Sequence, residues 1–226
     1  MTETESVKLI EVFNTWQGEG PDSGKAMTIL RFKTCNLNCP WCDTRVKMRI
    51  TPEAEYPLSQ LQEILRENGA GILVTGGEPT APRHFNDCLN IINRLNYPIA
   101  NVESNGFKLV DLIEQTDVAK KVNFMFSPKI FNQNDFEDAM FITKELFPRF
   151  KDVVSVKVVY EPDNKSLISY LDWLYGSKLV SGQSVYLMPE GTTRATLIQN
   201  SEKVFDAAEK YNFNFSSRDH IIYGFV

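Results

Sequence analysis

Short apolar runs and helical stripes alternate along this chain, and that alternation predicts its elements. Val7 to Phe13 alternates well enough for a short strand, and Met27 to Phe32 is a compact apolar strand. Ile72-Leu73-Val74 is a continuous apolar run of the kind buried on both faces of a sheet. Ile99 to Val102, Val122 to Phe126, Val153 to Tyr160 and Val185 to Met188 read as further strands. Helical stripes fall between them. Ser59 followed by Gln62 reads as a capping box, and Leu61, Ile64 and Leu65 supply the apolar face of a helix ending at Asn68-Gly69. Further helices are predicted at Phe85 to Leu95, Leu109 to Gln115, Asp135 to Leu146, Ser166 to Tyr175 and Thr193 to Tyr211. Arg45 to Pro57 reads as a polar connector. Phe213 to Phe215 and Ile221 to Phe225 read as closing strands.

About six strand–helix alternations predict a parallel sheet with helices as crossovers. An open doubly wound sheet and a complete or partial barrel satisfy the periodicity equally. In either, ligands gather beyond the carboxyl ends of the strands. With no repeat, low-complexity tract or linker in view, residues 1–226 are expected to form one domain.

Composition narrows the partners. The net charge is −5 with no Lys/Arg-rich run, which argues against tight binding to a nucleic-acid backbone. Met1-Thr2-Glu3-Thr4-Glu5 lacks the basic and apolar regions of a signal peptide, and no apolar run is long enough for a bilayer. Four cysteines, three of them clustered, fit a metal site in a reducing compartment better than a disulfide framework. A cytoplasmic protein without membrane association is expected.

The candidate chemistry starts in Thr34-Cys35-Asn36-Leu37-Asn38-Cys39-Pro40-Trp41-Cys42-Asp43-Thr44, where three thiols fall in a CxxxCxxC spacing. Thiolates are soft ligands for zinc or iron–sulfur clusters. A closed zinc site takes four ligands, and Cys88 lies far off in a predicted helix, where it reads as a small buried hydrophobe. Three cysteines on a [4Fe–4S] cluster leave one iron open for a small molecule. Polar residues follow the other apolar strands in turn: Thr75-Gly76-Gly77-Glu78, Glu103-Ser104-Asn105, Ser127-Pro128-Lys129 and Pro189-Glu190. Each alone reads as a turn or cap. Together, behind one parallel sheet, they converge on one face. The glycine pair would let backbone approach a ligand closely, and Glu78 would accept from an ammonium group.

Gln17-Gly18-Glu19-Gly20, Arg31, the cysteine loop ending Cys42-Asp43-Thr44, Thr75-Gly76-Gly77-Glu78-Pro79, Glu103-Ser104-Asn105-Gly106 and Ser127-Pro128-Lys129 stand in this order. The series resembles the 7-carboxy-7-deazaguanine synthase family of radical S-adenosylmethionine (SAM) enzymes, from about Phe13 to Lys157. The resemblance implies an α/β fold, a partial (β/α)6-type barrel of parallel strands with a modified C-terminal end, the cap lying at about 212–226. It implies a homodimer that uses a [4Fe–4S] cluster, SAM and Mg²⁺, with a flavodoxin- or ferredoxin-type electron donor. The implied reaction contracts 6-carboxy-5,6,7,8-tetrahydropterin to 7-carboxy-7-deazaguanine with loss of ammonia, in 7-deazapurine (queuosine-type) biosynthesis. Residue by residue, it assigns Cys35, Cys39 and Cys42 to the cluster and Thr44 to Mg²⁺. Trp41, Asp43, Gly77, Glu78, Glu103, Ser127, Lys129 and Lys157 are assigned to the cofactor. Trp16, Gln17, Gly18, Glu19, Arg31 and Thr75 are assigned to substrate, where the Arg31 guanidinium suits a carboxylate.

The chain departs from the family at its end. Members commonly finish with a His-Lys pair and a terminal proline, whereas this chain has Arg218-Asp219-His220 and ends Tyr223-Gly224-Phe225-Val226. His84 is expected at the surface. A small radical SAM enzyme of another kind, such as a glycyl-radical activase, would share the cysteine and glycine loops without needing Gln17, Glu19 and Arg31. A zinc-stabilised, non-catalytic module would need only the cysteines.

Overall fold

The strand predicted over Val7 to Phe13 is two strands, β1 (Ser6–Leu9) and β2 (Glu11–Trp16). They part at Ile10, whose N–H donates to the Arg31 carbonyl at 2.9 Å. The computed structural model describes residues 5–225; the acidic Met1–Thr4 start and Val226 at the end lie outside the described residues. Two compact units make up the chain. The first takes residues through Gln17 together with Lys25–Phe124, and the second takes Gly18–Gly24 together with Met125 onward.

In the first unit, β3 (Ala26–Phe32) delivers the chain into the cysteine loop, and α1 (Arg45–Ile50) follows it. β4 (Ala54–Pro57) pairs antiparallel with β1. The predicted polar connector after Thr44 therefore holds a helix and a strand. Then come α2 (Leu58–Asn68), β5 (Gly71–Gly76), α3 (Phe85–Arg94), β6 (Ala100–Ser104) and α4 (Leu109–Gln115). β2 pairs antiparallel with β3, while β3–β5 and β5–β6 are parallel. Leu30, Phe32, Ile72, Val74 and Val102 are fully buried on one sheet face. Met27, Ile29 and Leu73 pack on the other, with Phe13 and Ile99 against them. The alternation thus places apolar residues on both faces of these strands, as a sheet covered on both sides requires.

The capping box expected at Ser59 and Gln62 is not formed. Pro57 occupies the N-cap of α2 without a side-chain capping bond. The Gln62 amide is used in tertiary structure instead, donating to the Asn96 carbonyl at 3.1 Å and accepting from its N–H at 2.7 Å.

β7 (Val122–Phe126) leads into the second unit. It is followed by α5 (Gln133–Phe150), β8 (Val154–Tyr160), α6 (Lys165–Ser177), β9 (Val185–Pro189), α7 (Arg194–Tyr211), β10 (Asn214–Phe215) and α8 (Asp219–Tyr223). β8–β9 and β9–β10 are parallel. A capping box does open α5, where Asn132 accepts from the Asn134 and Asp135 N–H groups and Asp135 answers to the Asn132 N–H. Between α5 and α6 the Thr143 and Tyr170 hydroxyls meet at 2.8 Å, which satisfies both inside the core.

The strand expected at Ile221 to Phe225 is wrong: Asp219–Tyr223 is a short helix closed by Gly224. Its apolar residues suit a strand locally, but tertiary anchors at Arg218 and Asp219, described below, hold the backbone in a turn from which Ile221 and Ile222 donate back to the Arg218 carbonyl. The chain has an α/β fold with a mostly parallel central sheet. No helix among the described residues is long and apolar enough to cross a membrane.

Candidate active site

The carboxyl ends of β3, β5 and β6 carry the cysteine loop, Thr75-Gly76-Gly77-Glu78 and Glu103-Ser104-Asn105, and the first unit brings these three loops together. Arg31 pairs with Thr75 across β3 and β5, on the same sheet face as Ile29 and Leu73. Leu73 pairs with Asn101, so alternation along β6 places Glu103 on that face too, two residues toward the strand end. Arg31, Thr75 and Glu103 thus top a face that carries Ile29 and Leu73 below the first two and the buried Asn101 below Glu103. Arg31 is buried, and its Nε donates to Glu11 Oε2 at 2.6 Å. Glu11 went unnoticed in the sequence, although strand alternation puts it opposite Arg31.

Trp16 and Gln17 are not brought to this rim. β2 runs antiparallel to β3, so Trp16 pairs with Ala26, five residues before Arg31. At the rise of an extended strand that is roughly 16 Å along the sheet. Trp16 is exposed there, while Gln17 is buried and donates its N–H to the Lys25 carbonyl.

The glycine pair serves the cysteine loop directly. Past the end of β5, Gly77 N–H donates to the Phe32 carbonyl (3.0 Å) and Glu78 N–H to the Thr34 carbonyl (2.8 Å). A Cβ on Gly77 would sit 2.0 Å from the Thr34 carbonyl oxygen, and one on Gly76, at φ +127°, 2.3 Å from that of Phe32. What approaches closely here is the backbone leading into Cys35. Gly77→Ala is therefore expected to displace the cysteine loop, because the obstructing atoms are backbone. The variant should lose at least half its iron after reconstitution and melt at lower temperature. Normal iron content with an unchanged melt would show that the loop has slack.

Glu78 ties the loops together. One carboxylate oxygen accepts from the Thr80 N–H (3.1 Å) and hydroxyl (2.6 Å), the other from the Asn105 N–H (2.7 Å). Burial pushes its carboxyl above the ordinary value, and these donors pull it back only in part. Ser104 braces the same turn, accepting from the Gly106 N–H.

His84 is buried rather than superficial, stacked on Phe32 at 4.8 Å. Its Nε2 accepts the Thr34 N–H at 3.1 Å and lies 2.5 Å from the Thr34 hydroxyl. An acceptor at Nε2 places the ring proton on Nδ1, and burial lowers the pKa, so the ring is neutral. It anchors the residue before Cys35. No local pattern in the sequence marks a partner 50 positions away.

Within the loop, Cys35 and Cys42 are partly exposed, Cys39 is buried, and none of the three forms a disulfide. Cys42 N–H donates to the Cys39 carbonyl, which also accepts from Arg45. Cys35 Sγ accepts from the Leu37 N–H at 3.4 Å. Trp41 is partly buried and Asp43 exposed. Thr44 occupies the N-cap of α1 without capping it, its hydroxyl lying 3.5 Å from Cys42 Sγ. Cys88 is fully buried in α3, and burial holds its thiol well above the ordinary value.

In the second unit the centre is Glu19. Its carboxylate accepts from Lys157 Nζ at 2.5 Å and from Arg218 Nε at 3.1 Å, with His220 Nε2 at 3.8 Å. Burial alone would raise its pKa, but the charges of Lys157, Arg218 and His220 outweigh burial and hold it far below the carboxylate range. Arg218 also donates to the Gly191 carbonyl beyond β9 at 2.6 Å. The chain end is stitched to the Gly18–Gly24 segment: Asp219 N–H to the Gly18 carbonyl (3.0 Å), Gly20 N–H to Ser216 Oγ (2.8 Å), and Ser23 Oγ to Asp219 (2.8 Å). A Cβ on Gly18 would stand 2.5 Å from His220 Nδ1. Lys157 lies within β8 rather than at its end, and Lys129 Nζ donates to Ser127 Oγ at 2.6 Å in the loop after β7.

The sequence profile of the Radical SAM superfamily matches residues 29–155, more than half of the chain. The chain belongs to the radical SAM superfamily. A 7-carboxy-7-deazaguanine synthase of Hyperthermus butylicus is 27% identical over 96% of this chain and 92% of its own length. Another, of Thermoplasma acidophilum, is 36% identical over 56% of this chain and 54% of its own length. The crystal structure of QueE from Escherichia coli shares the fold with a TM-score of 0.59, covering 95% of both chains at 18% identity. That of Streptococcus suis SuiB bound to precursor peptide SuiA reaches 0.56, over 87% of this chain and 50% of that one, at 18% identity.

Radical SAM enzymes use a [4Fe–4S] cluster and SAM, and the cysteine loop suits them. Among the described residues no three His, Cys, Asp or Glu side chains gather around a single-ion site. A cubane needs no such gathering, because each thiolate takes its own iron. The loop offers three cysteines outside any disulfide, one already receiving an N–H, on a backbone pinned at Thr34 by His84 and Glu78. N–H donors to sulfur are a standard means of stabilising such clusters.

Proposed function

We propose that this chain is a 7-carboxy-7-deazaguanine synthase, contracting 6-carboxy-5,6,7,8-tetrahydropterin to 7-carboxy-7-deazaguanine with loss of ammonia in 7-deazapurine biosynthesis. The observation that carries the reading is the similarity to the Hyperthermus butylicus enzyme, which runs through 96% of the chain and so includes segments on both sides of the cysteine loop. Held by Cys35, Cys39 and Cys42, a cluster would supply the electron, and SAM the radical chemistry, that the reaction needs.

The chain's own residues bind and orient. Cys35, Cys39 and Cys42 hold the cluster, with His84 and Glu78 steadying the loop from below. Gly77, Glu103, Trp41 and Asp43 of the first unit contact SAM. Glu78 does so while bonded to Thr80 and Asn105. Arg31 receives the substrate carboxylate through the donors that Glu11 leaves, and Thr75 sits beside it. Trp16 and Gln17, which β2 carries away from Arg31, take no part in that carboxylate contact, and in the second unit Glu19 fixes Lys157 and Arg218. Thr44, with substrate oxygens and waters, ligates Mg²⁺, a hard ion suited to a hydroxyl that is not engaged in capping. Residues 1–226 work as one catalytic domain in a cytoplasmic homodimer, reduced by a flavodoxin- or ferredoxin-type protein.

The test is anaerobic reconstitution followed by incubation with SAM, a reductant, Mg²⁺ and the tetrahydropterin, with mass spectrometry for the deazaguanine acid. Product formation is expected. Cleavage of SAM with the pterin left intact would discard the substrate and keep the radical chemistry.

A further inference from the structure

The Asn105 side chain lies beyond β6 with its amide turned on the cysteine loop. Its Nδ2 donates to Asn36 Oδ1 at 2.8 Å and reaches Cys35 Sγ at 3.9 Å, within the range of a donor to sulfur. The orientation is held from two directions. Oδ1 accepts the Phe107 N–H at 3.1 Å, which fixes the amide so that its NH2 faces the cysteine. The Asn105 backbone N–H is held by the buried Glu78 carboxylate at 2.7 Å. Three segments distant in sequence thus hold one amide against one thiol: Glu78 beyond β5, Asn105 to Phe107 beyond β6, and Cys35-Asn36 beyond β3.

We propose that Asn105 is a positioning and tuning residue for the cluster, donating to the Cys35 thiolate and raising the cluster's reduction potential. The inference rests on the cluster assignment, not on the pterin as substrate. Adding one electron to a cluster raises its negative charge, and part of that charge appears on the ligating sulfurs. A donor aimed at a sulfur therefore stabilises the reduced state more than the oxidised state, and hydrogen bonds to sulfur are among the established determinants of cluster potential. The electron comes from an external low-potential one-electron reductant and no bond is made or broken in the protein. Asn105 also ties Asn36 to the β6 loop, so it limits the loop's freedom to rotate the sulfur away.

The experiment is a redox titration of the reconstituted protein without SAM, followed by the electron paramagnetic resonance signal of the reduced cluster, beside iron and sulfide analysis. Two variants are compared with the parent. Asn105→Leu removes both donor and acceptor at similar volume. Asn105→Asp keeps the acceptor for the Phe107 N–H and removes the donors. Both are expected to bind the parent's complement of iron and sulfide and to titrate at a more negative potential. Unchanged potentials in fully loaded variants would overturn the proposal, since the amide would then not act on the sulfur. Loss of iron from both variants would overturn it as well, showing a purely structural role. Failure to process the pterin with the potential shifted as expected would count against the proposed substrate alone.

Discussion

Cys39→Ala, purified and reconstituted without oxygen, is expected to be colourless or nearly so and to form no 5′-deoxyadenosine and no product. In the proposed site each of the loop's three thiols takes one iron, and Cys88 cannot replace one of them, because it is fully buried in α3 with its thiol held protonated. The fold should survive: removing one sulfur from a small buried side chain costs about 1 kcal/mol. The measurements are iron and sulfide per chain, the visible absorbance of the cluster and the thermal melt. Cys88→Ala provides the contrast and should keep iron, colour and activity. A Cys39→Ala protein that still holds a full cluster and cleaves SAM would remove the basis of the site. A colourless parent protein holding zinc would do the same.

Glu19→Ala should strongly destabilise the second unit. Lys157 and Arg218 have side chains 2% and 8% exposed, and Glu19 is the carboxylate between them. Removing one partner of a buried ion pair leaves uncompensated charge and typically costs about 3–5 kcal/mol. The expected result is that loss in a urea titration at pH 7, together with release of the chain end, since Arg218 is the side chain that joins the Glu19 carboxylate to the Gly191 carbonyl. The pH dependence has a definite sign. A carboxyl whose pKa is depressed by folding contributes its stabilisation fully above its unfolded value and loses it as pH falls toward the folded one. The gap between parent and Glu19→Ala should therefore be widest at neutral pH and narrow in acid below the ordinary carboxylate range. A gap of under 1 kcal/mol at pH 7, or one that widens in acid, would mean that Glu19 is not the hub of these charges.

Much of this was legible in the chain because it is local. Apolar runs and helical stripes need only neighbouring residues, and they located β3, β5, β7, β8 and β9 with α2 to α6 between them, though not α1. The CxxxCxxC spacing likewise states its ligand chemistry within eight residues. The glycines of Thr75-Gly76-Gly77-Glu78 were legible as a close approach, yet only the folded chain shows that the Thr34 backbone is what approaches.

What tertiary structure alone decided involves partners far apart in sequence. His84 reads as a surface residue until Thr34 and Phe32 are brought to it. Gln62 reads as half of a capping box until Asn96 offers it a better pair of bonds. The antiparallel course of β2 carries Trp16 away from Arg31, which no motif spacing reveals. At the chain end, Ile221 to Phe225 has the composition of a strand, and contacts from Arg218 and Asp219 to Glu19 and Gly18 turn it into a helix. The sequence by itself determined the alternating α/β order and singled out the three clustered cysteines, because propensity, periodicity and motif spacing act over a few residues. The tertiary structure decided which side chains hold that ligand loop and which charges are buried together, because long-range burial and pairing outweigh local preference wherever the two differ.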